Sequence, residues 1–225
     1  MSKSNQTDFK VKLLPNRGEV NSTVFVLGAT GSGKSTLIAN LLLDRSRFVV
    51  IDSKRDYDPA FFGNLVKVTG DLNKFVDLLN NGCEQIIFSL HEHSQDKEET
   101  LSVLLQIVFE FQLVNSKNLE PLTVALDELD SYVTSRGAPV GIKKIIEQGR
   151  SVKIQKIFGA QWFGDVPTWA RDTFSEIYTF AHYDKNGLLR LEQFGFNAEH
   201  VKNLPAYVCA YVGKGESKTF RLFTE

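Results

Sequence analysis

Two kinds of hydrophobic pattern alternate along this chain. Short apolar runs, rich in β-branched residues, have the composition of strands buried in a parallel sheet; they lie at residues 23–27, 47–51, 65–69, 84–90, 122–126, 154–160 and 177–181. Segments with apolar residues at every third or fourth position lie between them and predict helices. Strands that alternate with helices predict an α/β fold of three layers, with a mostly parallel central sheet and helices on both faces.

The helical patterns follow residues 36 and 71 and lie at 98–114, 141–149, 166–175 and within 187–203. Asp71 is the predicted N-cap of its helix, since its side chain can accept from the first free N–H groups. The segment 98–114 is apolar on nearly all sides, which predicts burial on more than one side. It is either a central core helix, the interpretation that we favour, or a helix packed against a neighbouring subunit.

The two ends of the chain carry weaker signals. Residues 1–9 are expected to be a flexible tail, and residues 9–14 a strand, so that residues 10–225 form a single domain. Near the other end, residues 207–211 and 218–223 are predicted to pair as a C-terminal β-hairpin around Gly213 and Gly215.

Composition narrows the possible partners and compartments. The 225 residues fit one domain, and a net charge of −1 means that any nucleic-acid contact needs a local basic patch. No apolar run reaches membrane-spanning length, and the polar first residues are unlike a signal peptide. Cys83 and Cys209 lie far apart, outside any metal-binding pattern, and are expected to be reduced thiols. These features predict a protein that works in a cytoplasm.

Residues 28–36 match the phosphate-binding pattern GxxxxGK[ST], between a predicted strand and a predicted helix. The glycines let several N–H groups point at one phosphate chain, at the positive end of the helix dipole. Lys34 is expected to reach the β- and γ-phosphates of ATP, and the Ser35 hydroxyl to bind Mg²⁺. The predicted phosphate-binding residues are Gly28, Ala29, Thr30, Gly31, Ser32, Gly33, Lys34, Ser35 and Thr36.

Two further polar groups follow predicted strands. Asp127 and Glu128 come directly after four apolar residues, which is a Walker-B arrangement: Asp127 for Mg²⁺ and Glu128 to polarise the attacking water. A water-activating carboxylate favours repeated hydrolysis over the phosphoryl transfer of a small-molecule kinase. Gln161 ends the next strand, which in hydrolases of this plan lies between the P-loop and Walker-B strands. Its amide is therefore predicted to face the γ-phosphate.

Arg150 precedes the strand that ends at Gln161. Its planar, permanently charged guanidinium suits the delocalised charge of a phosphoryl group. On the predicted topology Arg150 lies away from its own P-loop, so it either faces the nucleotide of a neighbouring subunit or is a surface arginine favoured by a helix end.

The ordered set of the P-loop, residues 50–54, residues 125–128, Gly149-Arg150 and Ala160-Gln161 resembles the FtsK/HerA superfamily of DNA-pumping ATPases. The short form of the chain is similar to genome-packaging ATPases of membrane-containing, tailless icosahedral double-stranded DNA viruses. The resemblance covers nearly all of the chain from about residue 20 and implies one P-loop ATPase domain of the RecA/FtsK-like kind.

The same resemblance implies how such a protein would work. It implies a homo-oligomeric ring, a hexamer, that threads double-stranded DNA into a preformed capsid, with capsid or portal-vertex proteins as partners in the host cytoplasm and the virion. It makes Arg150 an arginine finger and Gln161 a γ-phosphate sensor. The sequence DSKR at residues 52–55 departs from the DPKG of many members, which leaves Lys54 and Arg55 without an assigned role.

The sequence leaves the DNA contacts and several rival functions open. Arg136, Lys143 and Lys144 lie beside the Walker-B segment and are either phosphate contacts or solvated surface charges. A phage assembly ATPase of the zonula-occludens-toxin type, a P-loop kinase for a nucleotide or small molecule, and a nucleotide-gated structural protein of a virion vertex are the alternatives. Phosphate release without an acceptor distinguishes an ATPase from the kinase, and very slow release even with DNA would favour the structural protein.

Overall fold

The computed structural model describes residues 23–93, 95–213 and 215–222. The strands are β1 (Thr23–Leu27), β2 (Phe48–Asp52), β3 (Lys67–Thr69), β4 (Gln85–Ser89), β5 (Leu122–Leu126), β6 (Ile154–Ala160), β7 (Glu176–Thr179), β8 (Val208–Gly213) and β9 (Glu216–Arg221). The helices are α1 (Lys34–Leu43), α2 (Pro59–Phe62), α3 (Leu72–Asn80), α4 (Lys97–Asn115), α5 (Val140–Gln148), α6 (Thr168–Arg171), α7 (Lys185–Gln193) and α8 (Ala198–Lys202). Short 3₁₀ turns lie at Leu90–Glu92, Leu129–Ser131 and Gly149–Val152.

All the described strands form one sheet, in the order β3-β4-β2-β5-β6-β1-β7-β8-β9. The strands from β3 to β7 in this order are parallel, and β8 and β9 add an antiparallel hairpin. The predicted three-layer fold and C-terminal hairpin are confirmed. Strand β6 lies between β5 and β1, as predicted, so the segments that follow β1, β2, β5 and β6 meet at one edge of the sheet.

Alternation along the strands builds two apolar layers. On β1, Phe25 and Leu27 pack with α3, α4 and α5 on one face, whereas Val24 and Val26 pack with α1 on the other. The central strands are buried along their whole length because both faces are covered. The layers hold the functional edge of the sheet on a rigid support.

The longest helix, α4, differs from its prediction. It buries one face, including Leu104 and Val108, but Val103, Leu113 and Val114 are exposed. It is therefore a helix of the outer layer and not a central core helix. Periodicity overstated its burial because apolar residues were spread around the helix, and spacing alone does not say which of them face solvent.

Other boundaries shift in the structure. Helix α6 is shorter than the predicted 166–175, and the predicted segment 187–203 forms two helices, α7 and α8, separated by a turn where Gly195 has a φ of 94°. Asp71 caps α3 as predicted, accepting from the N–H of Lys74 at 2.8 Å. The predicted tail at 1–9 and strand at 9–14 lie outside the described residues. Among the helices that the structure describes, none is long and apolar enough to cross a bilayer.

Candidate nucleotide-binding site

The loop after β1 curls over the N-terminus of α1. Gly28 N–H donates to the carbonyl of Ala160 at 3.1 Å, which anchors the start of the loop to β6. Gly31 and Gly33 have φ values of 79° and 102°, a region that other residues rarely adopt. A cavity of about 360 Å³ opens above this loop. Its lining residues are Ala29, Thr30, Gly31, Gly33, Lys34, Ser35, Thr36, Lys54, Asp56, Glu128, Gln161 and Tyr207.

Lys34, Ser35 and Asp127 form a compact polar cluster at the floor of this cavity. The Lys34 ammonium is ion-paired with Asp127 Oδ1, and both side chains are buried. The Ser35 hydroxyl lies 2.9 Å from Asp127 Oδ2 and 3.2 Å from Asp56 Oδ2. Hydroxyl and carboxylate oxygens are the ligands that Mg²⁺ prefers, with substrate phosphates completing its shell. The residues present therefore fit the predicted metal.

A glycine on the neighbouring strand makes room for this cluster. A Cβ on Gly159 of β6 would clash with Asp127 Oδ1. Strand β6 pairs directly with β5, so any side chain at this position would push Asp127 away from Lys34. Gly159 thus belongs to the architecture of the site, although nothing in the local sequence marks it.

Glu128 holds a strained backbone conformation. Its φ is 63°, in the left-handed region, which costs a residue with a side chain about 1–3 kcal/mol. The Glu128 N–H donates to Asp127 Oδ1 at 2.8 Å, and the residue is 9% exposed. The turn directs the Glu128 carboxylate into the cavity, where Gln161 Nε2 donates to its Oε1 at 3.1 Å. The predicted pair of Glu128 and Gln161 therefore shares one site.

Asp130 holds the backbone that carries Gln161. Its Oδ2 accepts the N–H groups of Gln161 at 2.9 Å and Trp162 at 3.1 Å. Burial raises the pKa of Asp130 above its usual range, although the two N–H groups oppose this. Sequence reasoning missed Asp130; a third acidic residue two positions after the Walker-B pair was the available signal.

The loop after β2 supplies a lysine that the sequence left unassigned. Asp52 Oδ1 accepts the N–H groups of Lys54, Arg55 and Asp56 at 3.1, 2.7 and 3.1 Å, which folds the loop around one carboxylate. Lys54 reaches into the cavity and is ion-paired with Glu128 Oε1. The hydrogen bond to Glu128 is the main cause of the raised pKa of Lys54.

Arg150 lies apart from this group of residues. It occupies the exposed turn before β6, at the opposite end of that strand from Gln161, and it does not line the cavity. The structure thus separates Arg150 from the P-loop of its own chain, as the predicted topology required. Its role as an arginine finger stays a prediction.

The three basic residues proposed as DNA contacts have different surroundings. Arg136 is exposed in a tight turn closed by Thr134 and Gly137. Lys143 lies 3.8 Å from Glu147, one helical turn away. Lys144 is ion-paired with the side chain of Glu110 and lies over the ring of Phe109. Lys144 is therefore engaged within its own chain, whereas Arg136 is the more available of the three.

The sequence of this chain matches a known protein family. The model of the family described as the central domain of helicase HerA matches residues 5–157. A search of curated sequences gives no match to this chain.

Solved structures share its fold. The genome-packaging NTPase B204 of Sulfolobus turreted icosahedral virus 2, in complex with AMPPCP, is 18% identical with a TM-score of 0.67, covering 91% of this chain and 99% of that one. VirB4 of Thermoanaerobacter pseudethanolicus is 13% identical with a TM-score of 0.66, covering 93% and 92%. The pCW3 conjugation coupling protein TcpA, with ATPγS, is 14% identical with a TM-score of 0.56, covering 90% and 60%.

Proposed function

Since the chain belongs to the family of the HerA helicase central domain, we propose that it is an ATP-hydrolysing motor that moves double-stranded DNA. The process that we favour is the packaging of a viral genome into a preformed capsid, in the host cytoplasm and at the packaging vertex of the virion. Residues 10–225 then act as one ATPase domain.

One observation carries the hydrolytic part of this proposal. The carboxylate of Glu128 and the amide of Gln161 face the same cavity as the P-loop and lie 3.1 Å apart. A phosphate chain held by Lys34 and the loop N–H groups would place its terminal phosphate beside both groups. A small-molecule kinase needs no water-activating carboxylate at that position, because it transfers the phosphoryl group to a substrate and excludes water, whereas a hydrolase does.

The chemistry follows from these residues. A water oxygen bonds to the γ-phosphorus while the bond from that phosphorus to the β–γ bridging oxygen breaks, which yields ADP and phosphate. Glu128 takes a proton from the water, and Lys34 stabilises the charge on the phosphate chain. Gln161 orients the water or the γ-phosphate. Mg²⁺, held by Ser35 and Asp127 together with the phosphates, would neutralise developing charge.

The proposed assembly is a homo-oligomeric ring, with six subunits as the expected number. It is supported by the exposure of Arg150 at the edge of the sheet opposite the P-loop. From there its guanidinium could face the nucleotide of a neighbouring subunit, where it would act as an arginine finger. Capsid or portal-vertex proteins are the further partners that packaging would require.

Phosphate release by the full chain, with and without duplex DNA and without any phosphate acceptor, tests this function. We expect hydrolysis that rises when duplex DNA is added and that is lost in Glu128→Gln. Hydrolysis that needs a small-molecule acceptor would identify a kinase instead. Slow turnover under every condition would identify a nucleotide-gated structural protein.

A secretion or conjugation ATPase is the second candidate. It is favoured by the likeness in fold to the pCW3 conjugation coupling protein TcpA and to the cytoplasmic domain of the type VII secretion ATPase EccC of Thermomonospora curvata. A phage assembly ATPase of the zonula-occludens-toxin type belongs to the same group of alternatives. Stimulation of hydrolysis by the substrate of such a system, and not by duplex DNA alone, would favour this candidate over packaging.

A further inference from the structure

Lys54 lines the cavity, and the proposed reaction assigns it no role. It contacts the same oxygen of Glu128, Oε1, that accepts from Gln161. In the arrangement described, two donors therefore converge on one oxygen of the candidate base. A carboxylate must offer a lone pair to water in order to take its proton, so an oxygen that is held by the Lys54 ammonium is not available for this step.

The backbone at Lys54 is held by several hydrogen bonds, whereas its side chain is about half exposed. Strand β2 pairs with β5, which brings the end of β2 beside Glu128. The carboxylate of Asp52 accepts the N–H groups of the loop that carries Lys54. Lys97 Nζ donates to the carbonyl of Ser53 in the same loop at 3.2 Å. The Lys54 side chain, by contrast, is 46% exposed, so its ammonium can change partner without moving the loop.

A γ-phosphate would compete with Glu128 for this ammonium. Lys54, Glu128 and the P-loop line one cavity, so a triphosphate held by Lys34 lies within reach of Lys54. The terminal phosphate carries more negative charge than one carboxylate and offers three oxygens as acceptors. A diphosphate has no γ-phosphate to compete for the ammonium, so Lys54 would stay paired with Glu128.

We infer that Lys54 is a triphosphate-sensing residue, which pairs with Glu128 in the absence of a γ-phosphate and moves to that phosphate when a triphosphate binds. The exchange rests on the proposed ATPase function and adds a step to it. It frees Glu128 to take a proton only once the phosphate to be cleaved is in place. The same exchange makes the site prefer ATP to ADP.

The test measures binding and not hydrolysis. Equilibrium affinities for AMPPCP and for ADP, each with Mg²⁺, are compared for the wild-type chain, Lys54→Met and Glu128→Gln. Lys74→Met is the matched control, since Lys74 is exposed on α3 and does not line the cavity. Circular dichroism melting confirms that each variant folds.

We expect Lys54→Met to weaken AMPPCP binding roughly tenfold or more, the size of a hydrogen bond to a charged group, and to leave ADP binding unchanged. Glu128→Gln should tighten AMPPCP binding because Lys54 no longer has a competing partner. In the Lys54→Met background, the same Glu128→Gln change should have a smaller effect. Lys74→Met should bind both nucleotides as the wild type does.

Three results would overturn the inference. Equal losses for AMPPCP and ADP in Lys54→Met would give Lys54 a general structural role. No loss for either nucleotide would show that its ammonium does not reach the γ-phosphate. A wild-type chain that binds neither nucleotide would contradict the proposed function itself, and with it this inference.

Discussion

Charged residues at the carboxyl edge of the sheet are paired with one another. Lys34 holds Asp127, and Lys54 holds Glu128. The phosphates of a bound nucleotide would compete with the two carboxylates for these ammonium groups. The predictions at this scale concern Glu128 and Asp130. Asp130 supports the backbone of Gln161, which is the hydrogen-bond partner of Glu128.

Replacing Glu128 by glutamine separates binding from hydrolysis. The amide is nearly isosteric, so the cluster of Lys34, Ser35 and Asp127 should remain, whereas the base is lost. We expect nucleotide binding to persist and the rate of phosphate release to fall about 10²–10⁴-fold. Binding and release are measured on the same material. Loss of both together would make Glu128 a structural residue.

Asp130 should act through the position of Gln161. In Asp130→Ala the N–H groups of Gln161 and Trp162 lose their acceptor, and we expect kcat to fall about tenfold to 100-fold because the amide is misplaced. Asp130→Asn keeps a carbonyl oxygen that can accept both N–H groups and removes a buried charge. It should retain most of kcat, with a melting temperature that is unchanged or higher.

Steady-state kinetics and thermal melting of both Asp130 variants check this prediction. If alanine and asparagine reduced kcat equally, the carboxylate charge and not the two hydrogen bonds would be what matters at this position.

The sequence predicts those site residues whose motif is local. Residues 28–36 and the pair Asp127-Glu128 are recognisable because spacing within one segment carries the chemistry. Lys54 and Asp130 were missed since their importance depends on the pairing of β2 with β5 and on the turn after β5. Neither relation can be read from a single segment.

Strand β6 lies between two residues of the proposed ATPase mechanism, Arg150 and Gln161. Gln161 follows its last residue, and Arg150 lies in the turn before its first. Between them Lys156 is buried, with its Nζ donating to the carbonyl of Ile146 in α5 at 3.0 Å. This bond fastens the end of α5, and thereby the turn that carries Arg150, to the sheet.

Lys156 makes the stability of this part of the fold depend on pH. Burial, with a smaller contribution from Arg150, lowers its pKa from 10.5 to about 8. Between these values the unfolded chain binds more protons than the folded one, so the free energy of unfolding should rise with pH. The expected rise from this residue is at most about 3 kcal/mol. Lys156→Met should remove it.

Urea unfolding at several pH values between 7 and 10.5 measures this difference, with the exposed Lys74→Met as the control. The wild type and the control should gain stability relative to Lys156→Met as the pH rises. Parallel stability curves for all three proteins would show that Lys156 keeps its proton in the folded state.

The elements themselves are largely predictable from the chain. Strands buried on both faces leave continuous apolar runs, which is why β1, β2, β5 and β6 lie within about a residue of their predicted positions. The helices are less well predicted. Exposed apolar residues on α4 give this helix the sequence pattern of a core helix. The turn at Gly195 divides a segment that was expected to carry one helix.

At the scale of the whole molecule, the plan of related hydrolases predicts that β6 lies between the P-loop strand and the Walker-B strand, and the rest of the strand order is known only from the structure. A ring leaves no comparable pattern in one chain. Its support here is the separation of Arg150 from the P-loop of the same subunit.

Mixing two inactive variants tests whether Arg150 acts between subunits. Arg150→Ala should bind ATP normally but turn over about 10³–10⁵-fold more slowly, since the guanidinium meets the developing charge only in the transition state. Arg150→Lys should not rescue turnover, because an ammonium lacks the planar fork. Lys34→Ala should also be inactive.

In a mixed ring, an intact P-loop can lie beside an intact Arg150, so partial hydrolysis should return. Native mass measurement shows whether mixed rings have formed. Mixed rings without any recovered hydrolysis would place Arg150 outside the neighbouring site.

Movement along duplex DNA is the central claim, and displacement of a triplex-forming strand measures it most directly. The labelled third strand is bound at one end of a long duplex, and its release is followed after ATP is added to the wild-type chain. We predict release that requires ATP, takes longer when the duplex is longer, and is absent in Glu128→Gln. A wild-type chain that hydrolyses ATP in the presence of duplex DNA, yet leaves the third strand in place, would contradict the account.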